Sequence, residues 1–432
     1  MKTQKSKPLK YRKHKDMTRK RKSSGWKKVA LKGSPYEIGF QHGTKLKSEL
    51  EKVRKILPIY VETILNQTYE SFMTKSILTI KPIIQSKFPQ IYRELEGIAE
   101  GSEIDIDIII AWNAQMSISS CGSRCSAFIA TGDSTKDHKI VMAHTTHSDF
   151  LSGQLFNIIF KIIPDDGEPF MMQSAPGLIW SMTDWFITQS GIIGCESTID
   201  NENYQPEFGS PIFCRARKAM QFSKSIDDFI HILLNDNAGD YPCSWLLGDT
   251  KTNEIAIFEL GKSVYSIDRT QSGIYYGMNS PHNISLRQTE TKSPEDYTDI
   301  TTSLGSRNQR FQTLFEKYNG KIDDKNSKKI IADHFDEYTE KENPGLRTIC
   351  KHGELSREYT KMGRPPHFPA GSTDAKIVTS DMAMKMKFEA ILGPPCRRPF
   401  HIKPFMTNHP NYRYLEPYLE DWKNTSWSTI HF

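Results

Sequence analysis

The 432 residues are 37% hydrophobic and 25% charged, an ordinary globular balance that supports one large core or two smaller ones. No run approaches the roughly 18 apolar residues of a membrane span, and the first 30 residues lack an apolar stretch ending in a small-residue cleavage site, so a soluble, intracellular protein is expected. The net charge of +6 is uneven: residues 1–30 carry 13 Lys or Arg against Asp16 alone, a surplus of +12 that leaves −6 for the remainder.

The opening stretch KTQKSKPLKYRKHKDMTRKRK cannot bury enough surface to offset its ordering entropy, and residues 1–28 are expected to form a disordered basic tail. Such a tail reads as a nuclear address, as weak contact with nucleic acid or anionic membrane, or simply as a solvated extension. From Gly25 the composition changes to a strand-like run, a Gly-Ser-Pro turn and an amphipathic helix through KSELEKVRKILPIYVETIL. Helical periodicity continues through ILTIKPIIQSKF and IYRELEGIAEGSEI, so residues 29–124 read as a mostly helical segment.

At Cys125 the period changes. CSAFIATG and IVMAHTT are short β runs joined by the polar turn DSTKDHK, a hairpin pattern. Strands in QLFNIIFKIIP, EPFMMQSAP and IIGCESTI precede two helices in PIFCRARKAMQFSK and SIDDFIHILLND, and strands return in SWLLGD, EIAIFELG, SVYSIDR and GIYYGMN. Helices follow over 306–318 and 326–335, then a Gly-, Pro- and charge-rich surface excursion over 340–373 and a final strand near 376–378. Strand blocks segregated from helix blocks argue an α+β fold rather than βαβ alternation.

Seven cysteines stand at 121, 125, 195, 214, 243, 350 and 396, an odd number with no Cys-x-x-Cys pair, so neither a disulfide framework nor a zinc site is expected. Without a phosphate loop, a His-Glu-x-x-His helix or an EF-hand, no metal or nucleotide cofactor is implied. Cys125 is the cysteine that stands out, because it opens a strand. A papain-like cysteine draws its activation from a helix N-terminus, which this position lacks. Another route makes the nucleophile the first residue of a cleaved chain, so that its own α-amine, with a pKa of about 8, acts as the base.

The segment RCSAFIATG followed by IVMAHTTHSDF resembles the nucleophile hairpin of the penicillin acyltransferase and phospholipase B-like group of N-terminal-nucleophile (Ntn) hydrolases. Upstream LKGSPYEIGFQHG and ELEGIAEGSEIDIDIIIAWN, and downstream APGLIWS, GIIGCESTI, RARKAMQF, GMNSP, SRNQRFQTL, TICKH, GSTDAKIV and GPPC, fall in the same order, so the likeness extends over some 400 residues. It implies a four-layer αββα sandwich with a mostly helical N-terminal leader: residues 29–124 as a pro-segment packed on the core and 125–432 as the catalytic domain. It also implies cleavage between Arg124 and Cys125 and a covalent acyl-enzyme on Cys125. Relatives frequently carry Gly where Arg124 stands and Trp where His147 stands.

The resemblance further assigns Asp149, Asn279 and Arg310 to the catalytic set, with Asp149 holding the amine, Asn279 in the oxyanion hole and Arg310 beside the nucleophile. His144, Thr145, Thr198 and Arg307 fall at substrate or oxyanion positions. Each has a plainer reading: a turn-capping Asp, sheet-bonded Thr and His, a turn Asn, a solvated helix Arg. Cys121 is the rival thiol. Trp180 and Trp185, flanking SMTD, read as core packing before they read as a lid. The expected activity is cleavage or transfer of a small-molecule acyl amide or ester, with phospholipid deacylation as the variant chemistry and the cleaved chains staying together. A noncatalytic protein that binds nucleic acid or membrane on the same fold is the alternative outside enzymology.

Overall fold

The computed structural model describes residues 25–119, 125–199, 209–359, 364–422 and 426–432. The strand-like run expected from Gly25 is a strand, and it overlaps the 1–28 bound given to the tail. Lys27 and Lys28, assigned above to the tail, start strand β1 (Lys27–Gly33), which pairs in parallel over seven residues with Ile158–Pro164.

Four principal helices lie between β1 and the cysteine: α1 (Pro35–Lys45), α2 (Lys47–Thr63), α3 (Pro89–Ser102) and α4 (Ile106–Ala114). The Ser-Pro-Tyr-Glu sequence sets the start of α1. Ser34 accepts from the Glu37 N–H, the Glu37 carboxylate accepts from the Ser34 N–H at 2.9 Å, and Pro35 supplies a pre-set first residue. Helices α1 and α3 touch backbone to backbone through two glycine pairs. A Cβ added at Gly39 would meet the Glu94 carbonyl at 1.9 Å, and one at Gly97 would meet the Tyr36 carbonyl at 2.3 Å.

The later strands are β2 (Cys125–Thr131), β3 (Val141–Asp149), β4 (Ile158–Pro164), β5 (Phe170–Ser174), β6 (Trp185–Thr188), β7 (Ile192–Thr198), β8 (Cys243–Asp249), β9 (Glu254–Leu260), β10 (Tyr265–Thr270) and β11 (Gly273–Gly277). The short pair β12 (Phe335–Asp336) and β13 (Lys341–Glu342) follows, then β14 (Ala370–Thr379), β15 (Phe388–Leu392) and β16 (Ser428–Ile430). One sheet runs β1-β4-β5-β6-β7-β8-β9-β10 and the other β11-β2-β3-β14-β15-β16. Helices α5 (Ile212–Phe222) and α6 (Ile226–Leu234) lie between β7 and β8, and α7 (Ser303–Tyr318) and α8 (Asp324–Ile331) follow β11.

Side-chain alternation sorts the apolar residues into three cores, and the cores define four layers. Ile158, Phe160 and Ile162 of β4 pack with α1 to α4 and with α5 and α6. Ile159, between them in sequence, points the other way and meets Ala127, Ile129 and Met142 of the second sheet. On that sheet's outer face Phe128, Ala130, Ala143 and Ile377 pack on Phe311, Leu314 and Ile330 of α7 and α8. The result is the expected αββα sandwich. Its central strands are buried on both faces, which is why they read as continuous apolar runs.

The proposed surface excursion over 340–373 is a correction. Thr348, Ile349 and Cys350 are fully buried, and the segment is tied to β14 through the Lys351 N–H to Ser372 Oγ. Polar composition misleads there because the polar groups find partners inside the fold. Among the described residues no helix is long and apolar enough to cross a membrane.

Candidate active site

Cys125 begins β2 and lies opposite Thr146 of β3. It shares a face with Ala127 and Ile129, so its side chain enters the space between the two sheets, where it has no solvent exposure. Its Sγ lies 3.6 Å from Asp184 Oδ2, within reach of a thiol hydrogen bond. Asp184 sits in the turn before β6, with φ +62 and its N–H on the Ser181 carbonyl. A ring nitrogen of His144, the Cys125 sulfur and an Asp184 oxygen all lie within 4.8 Å of one another.

His144 Nε2 is 3.0 Å from the Glu196 carbonyl, which can only accept, so Nε2 carries the proton and Nδ1 keeps its lone pair. That Nδ1 has no hydrogen-bond partner among the described residues. Burial pushes the Cys125 thiol well above its ordinary value, with the carboxylates of Asp184 and Glu196 adding to the effect; the His147 backbone N–H and Lys376 oppose it. Burial, followed by Lys376, pushes His144 well below its ordinary value, against the pull of the Glu196 carbonyl. Both groups are therefore held neutral, unlike a thiolate–imidazolium pair.

The next row of the sheet carries a buried ion pair. Lys376 Nζ is 2.7 Å from Asp374 Oδ1 and 2.7 Å from Thr146 Oγ1, while Asp374 Oδ2 accepts from Gln173 Nε2 at 2.9 Å. Asp374 and Lys376 are two apart on β14, hence on one face, opposite Thr146 and His144.

A second group approaches from the helical side. Arg307 of α7, with no solvent exposure, donates from Nη1 to the Cys125 carbonyl at 3.0 Å and to Ser126 Oγ at 3.1 Å, and from Nη2 to Asn279 Oδ1 at 2.9 Å. Asn279 follows β11 with φ +79, and its Nδ2 donates to the Thr198 carbonyl at 2.7 Å and to Ser197 Oγ at 3.2 Å. One guanidinium thus connects the backbone of Cys125 to the side chain of Asn279.

Comparison with known proteins bears on what this arrangement is. Residues 66–267, which include the hairpin, match the family model described as phospholipase B. The chain is 26% identical over 250 residues to a phospholipase B of Crotalus adamanteus, covering 52% of this chain and 43% of that protein. It is 25% identical over 87 residues to the acyl-coenzyme A:6-aminopenicillanic-acid-acyltransferase of Emericella nidulans, covering 20% of this chain and 24% of that one. The chain is thus similar to phospholipase B-like and penicillin acyltransferase-like proteins, the family model matching 202 of its 432 residues. The aligned parts span less than half the length of either relative. The solved structure of a mutant conjugated bile acid hydrolase from Clostridium perfringens overlaps 62% of this chain and 89% of that one, at a TM-score of 0.37 and 11% identity, too loose an overlap to carry weight.

Within this αββα fold the residues singled out from sequence divide into two sets. Cys125, His144, Asn279 and Arg307 come together, and the Thr198 carbonyl joins them through Asn279. The Thr198 hydroxyl instead meets the Tyr241 hydroxyl at 2.8 Å, and Tyr241 donates to Glu196. Thr145 lies opposite Ser126, on the other face from the Cys125 thiol, and donates to the Asp374 carbonyl. His147 shares that face and bonds the Ile349 carbonyl at 3.1 Å.

Asp149 caps the short helix Phe150–Gly153, its Oδ1 accepting from the Ser152 N–H at 2.8 Å and its Oδ2 from the Ser152 hydroxyl at 2.8 Å. Arg310, one turn beyond Arg307, forks onto both oxygens of Asp333 at 2.8 Å. Among the described residues neither is hydrogen-bonded to Cys125. Trp180 and Trp185 are fully buried core residues. Arg124 and Cys121 lie outside the described residues.

Sequence reasoning missed Asp184 and the Lys376–Asp374 pair. Asp184 stood in the SMTD turn, with nothing local to mark it. Asp374 and Lys376 did leave a signal: opposite charges two apart inside the apolar strand of GSTDAKIV require either an edge strand or a buried pair.

Proposed function

We propose that the protein is a cysteine Ntn hydrolase or acyltransferase that matures by cleavage before Cys125 and then attacks an acyl amide or ester. The observation that carries this reading is the placement of Cys125 at the head of a central strand, its thiol on Asp184 and its carbonyl on Arg307. In the intact chain the thiol is neutral, so attack on the Arg124 carbonyl needs a local acceptor for its proton. Asp184 Oδ2 is in position, with the His144 Nδ1 lone pair nearby.

The sulfur–carbon bond forms as the carbon–nitrogen bond breaks, the proton passes to the departing amine, and water hydrolyses the resulting thioester to free both the thiol and a new terminus. In the mature chain the α-amine takes the thiol proton and returns it to the leaving group. Arg307 fixes the Cys125 carbonyl and orients Asn279, whose Nδ2 becomes an oxyanion donor by exchanging one of its present bonds to Ser197 or Thr198.

A second reading is favoured by the phospholipase B match across residues 66–267: the same steps applied to a phospholipid acyl ester. Intact-mass spectrometry tests the common core. Wild type should split into pieces of 124 and 432 − 124 = 308 residues, Cys125→Ala should stay whole, and Asp184→Asn should split slowly. An active, unsplit wild type refutes the maturation step. Release of fatty acid from phospholipid vesicles but not from acyl amides selects the second reading.

A further inference from the structure

Away from the nucleophile, four soft donors converge from three separate segments. His334 follows α8, Cys350 and His352 lie on the bent segment before β14, and Cys396 lies in the turn after β15. Their ligand atoms all fall within 4.8 Å of one another. His352 Nε2 is 3.1 Å from His334 Nε2 and 3.4 Å from each of the sulfurs of Cys350 and Cys396.

We propose that these residues form a structural zinc site of the Cys2His2 type. Zinc–nitrogen bonds of about 2.0–2.1 Å and zinc–sulfur bonds of about 2.3 Å on a tetrahedron place ligand nitrogens about 3.3 Å apart and nitrogen from sulfur about 3.5 Å apart. The recorded separations of 3.1 and 3.4 Å lie close to those edges.

The surroundings fit a metal better than a hydrogen-bonded knot. His352 Nδ1 is 2.7 Å from Glu354 Oε1, so a neutral His352 donates there and aims its Nε2 lone pair at the two sulfurs and the other ring. A carboxylate behind a histidine is the arrangement that orients an imidazole ligand and raises its basicity. The Arg398 N–H points at Cys396 Sγ at 3.4 Å, a contact that supports a thiolate. Cys350 and His352 are two residues apart, and the bend between them brings Cys350 Sγ to 3.4 Å from His352 Nε2. Two thiolates and two neutral imidazoles balance the charge of Zn2+, and the two thiol protons leave to solvent.

This site would act on position rather than on chemistry. The Ile349 carbonyl receives His147, and the Lys351 N–H reaches Ser372 on β14, so the metal would pin the segment over 345–356 to the sheet that carries Cys125. The missing Cys-x-x-Cys pair argued against zinc from sequence, but a site assembled from three segments leaves no such pattern.

The test is elemental analysis of full-length protein purified from zinc-supplemented cells without chelator. About one zinc per chain is expected, retained in Cys125→Ala and lost in Cys396→Ser and His334→Ala. Because a folding defect in those last two variants would also lose zinc, the wild type is also stripped and reloaded with Co2+. Tetrahedral d–d absorption together with sulfur-to-cobalt charge transfer is expected, as is a lowered unfolding midpoint on stripping that zinc restores. A stripped, folded chain that takes up neither ion overturns the proposal, as does a Cys350–Cys396 disulfide in peptide mapping. So does zinc that is lost from Cys125→Ala yet kept in Cys396→Ser.

Discussion

Exchanging Arg307 for lysine asks whether the fork between Cys125 and Asn279 matters beyond its charge. Lysine keeps the positive charge, but its compact ammonium cannot span the Cys125 carbonyl, Ser126 Oγ and Asn279 Oδ1, which the guanidinium contacts at 3.0, 3.1 and 2.9 Å. At least one buried acceptor is then left without its charged donor, at about 1.5–3 kcal/mol, and Asn279 loses the bond that sets its orientation. Misplacing a single oxyanion donor costs about 100-fold in rate or more. Arg307→Lys should therefore slow both chain splitting and turnover by about 100-fold, read by time-resolved intact mass and by acyl release. Arg310→Ala is the contrast. It breaks a fork onto Asp333 that is largely shielded from water, so it should lower stability by about 3 kcal/mol while leaving the rates within a few-fold. If Arg307→Lys works at the wild-type rate, or if Arg310→Ala is the variant that stalls, the assignment of the guanidinium is wrong.

Acid should weaken the fold through its buried histidines. Burial holds His42 at about 3 instead of 6.5, and its Nε2 accepts the Gly177 N–H at 2.9 Å. A depressed folded-state value gives stability that is complete above 6.5 and is lost as pH falls towards 3, so going to pH 5 removes about 2 kcal/mol for this residue alone, at about 1.4 kcal/mol per unit. Urea midpoints at pH 7.5 and 5 should fall less in His42→Gln than in wild type, and equal falls would exclude His42 as a source. Gly97→Ala should destabilise by about 1–3 kcal/mol despite the better helix propensity of alanine, because the atoms it meets are backbone of α1; a raised urea midpoint would show that α1 and α3 can separate without cost. After splitting, a tag on the longer piece should retain the shorter one in buffer and release it in guanidinium, since β1 is a strand of the eight-stranded sheet; release in buffer would show that this pairing does not hold the leader.

The parts of the fold that were legible in the sequence are those in which a residue acts on its own backbone or on near neighbours. The Cys125 hairpin announced itself by a change of period and the α+β class by segregated strand and helix blocks, while the four-layer arrangement followed from the family resemblance. The glycines of GFQHG and GIAEG were visible as motifs, but their use, letting two helix backbones touch, lies between segments 58 residues apart. The same limit explains the errors at the site. The resemblance puts Arg310 beside the nucleophile, yet three helical positions turn the chain through about 300°, enough to send the Arg307 guanidinium to Cys125 and that of Arg310 to Asp333. Asp149 has a capping geometry that any strand-to-helix turn could use, whereas Asp184 reaches the thiol only because β6 and β2 belong to facing sheets. The steps from His334 to Cys350, to His352 and to Cys396 are 16, 2 and 44 residues, and only the middle one is local enough to read. A strand-borne nucleophile draws its charge environment from the opposite sheet and the helical layer behind it. Sequence can therefore single out the candidate thiol, and the packing of the layers has to name what surrounds it.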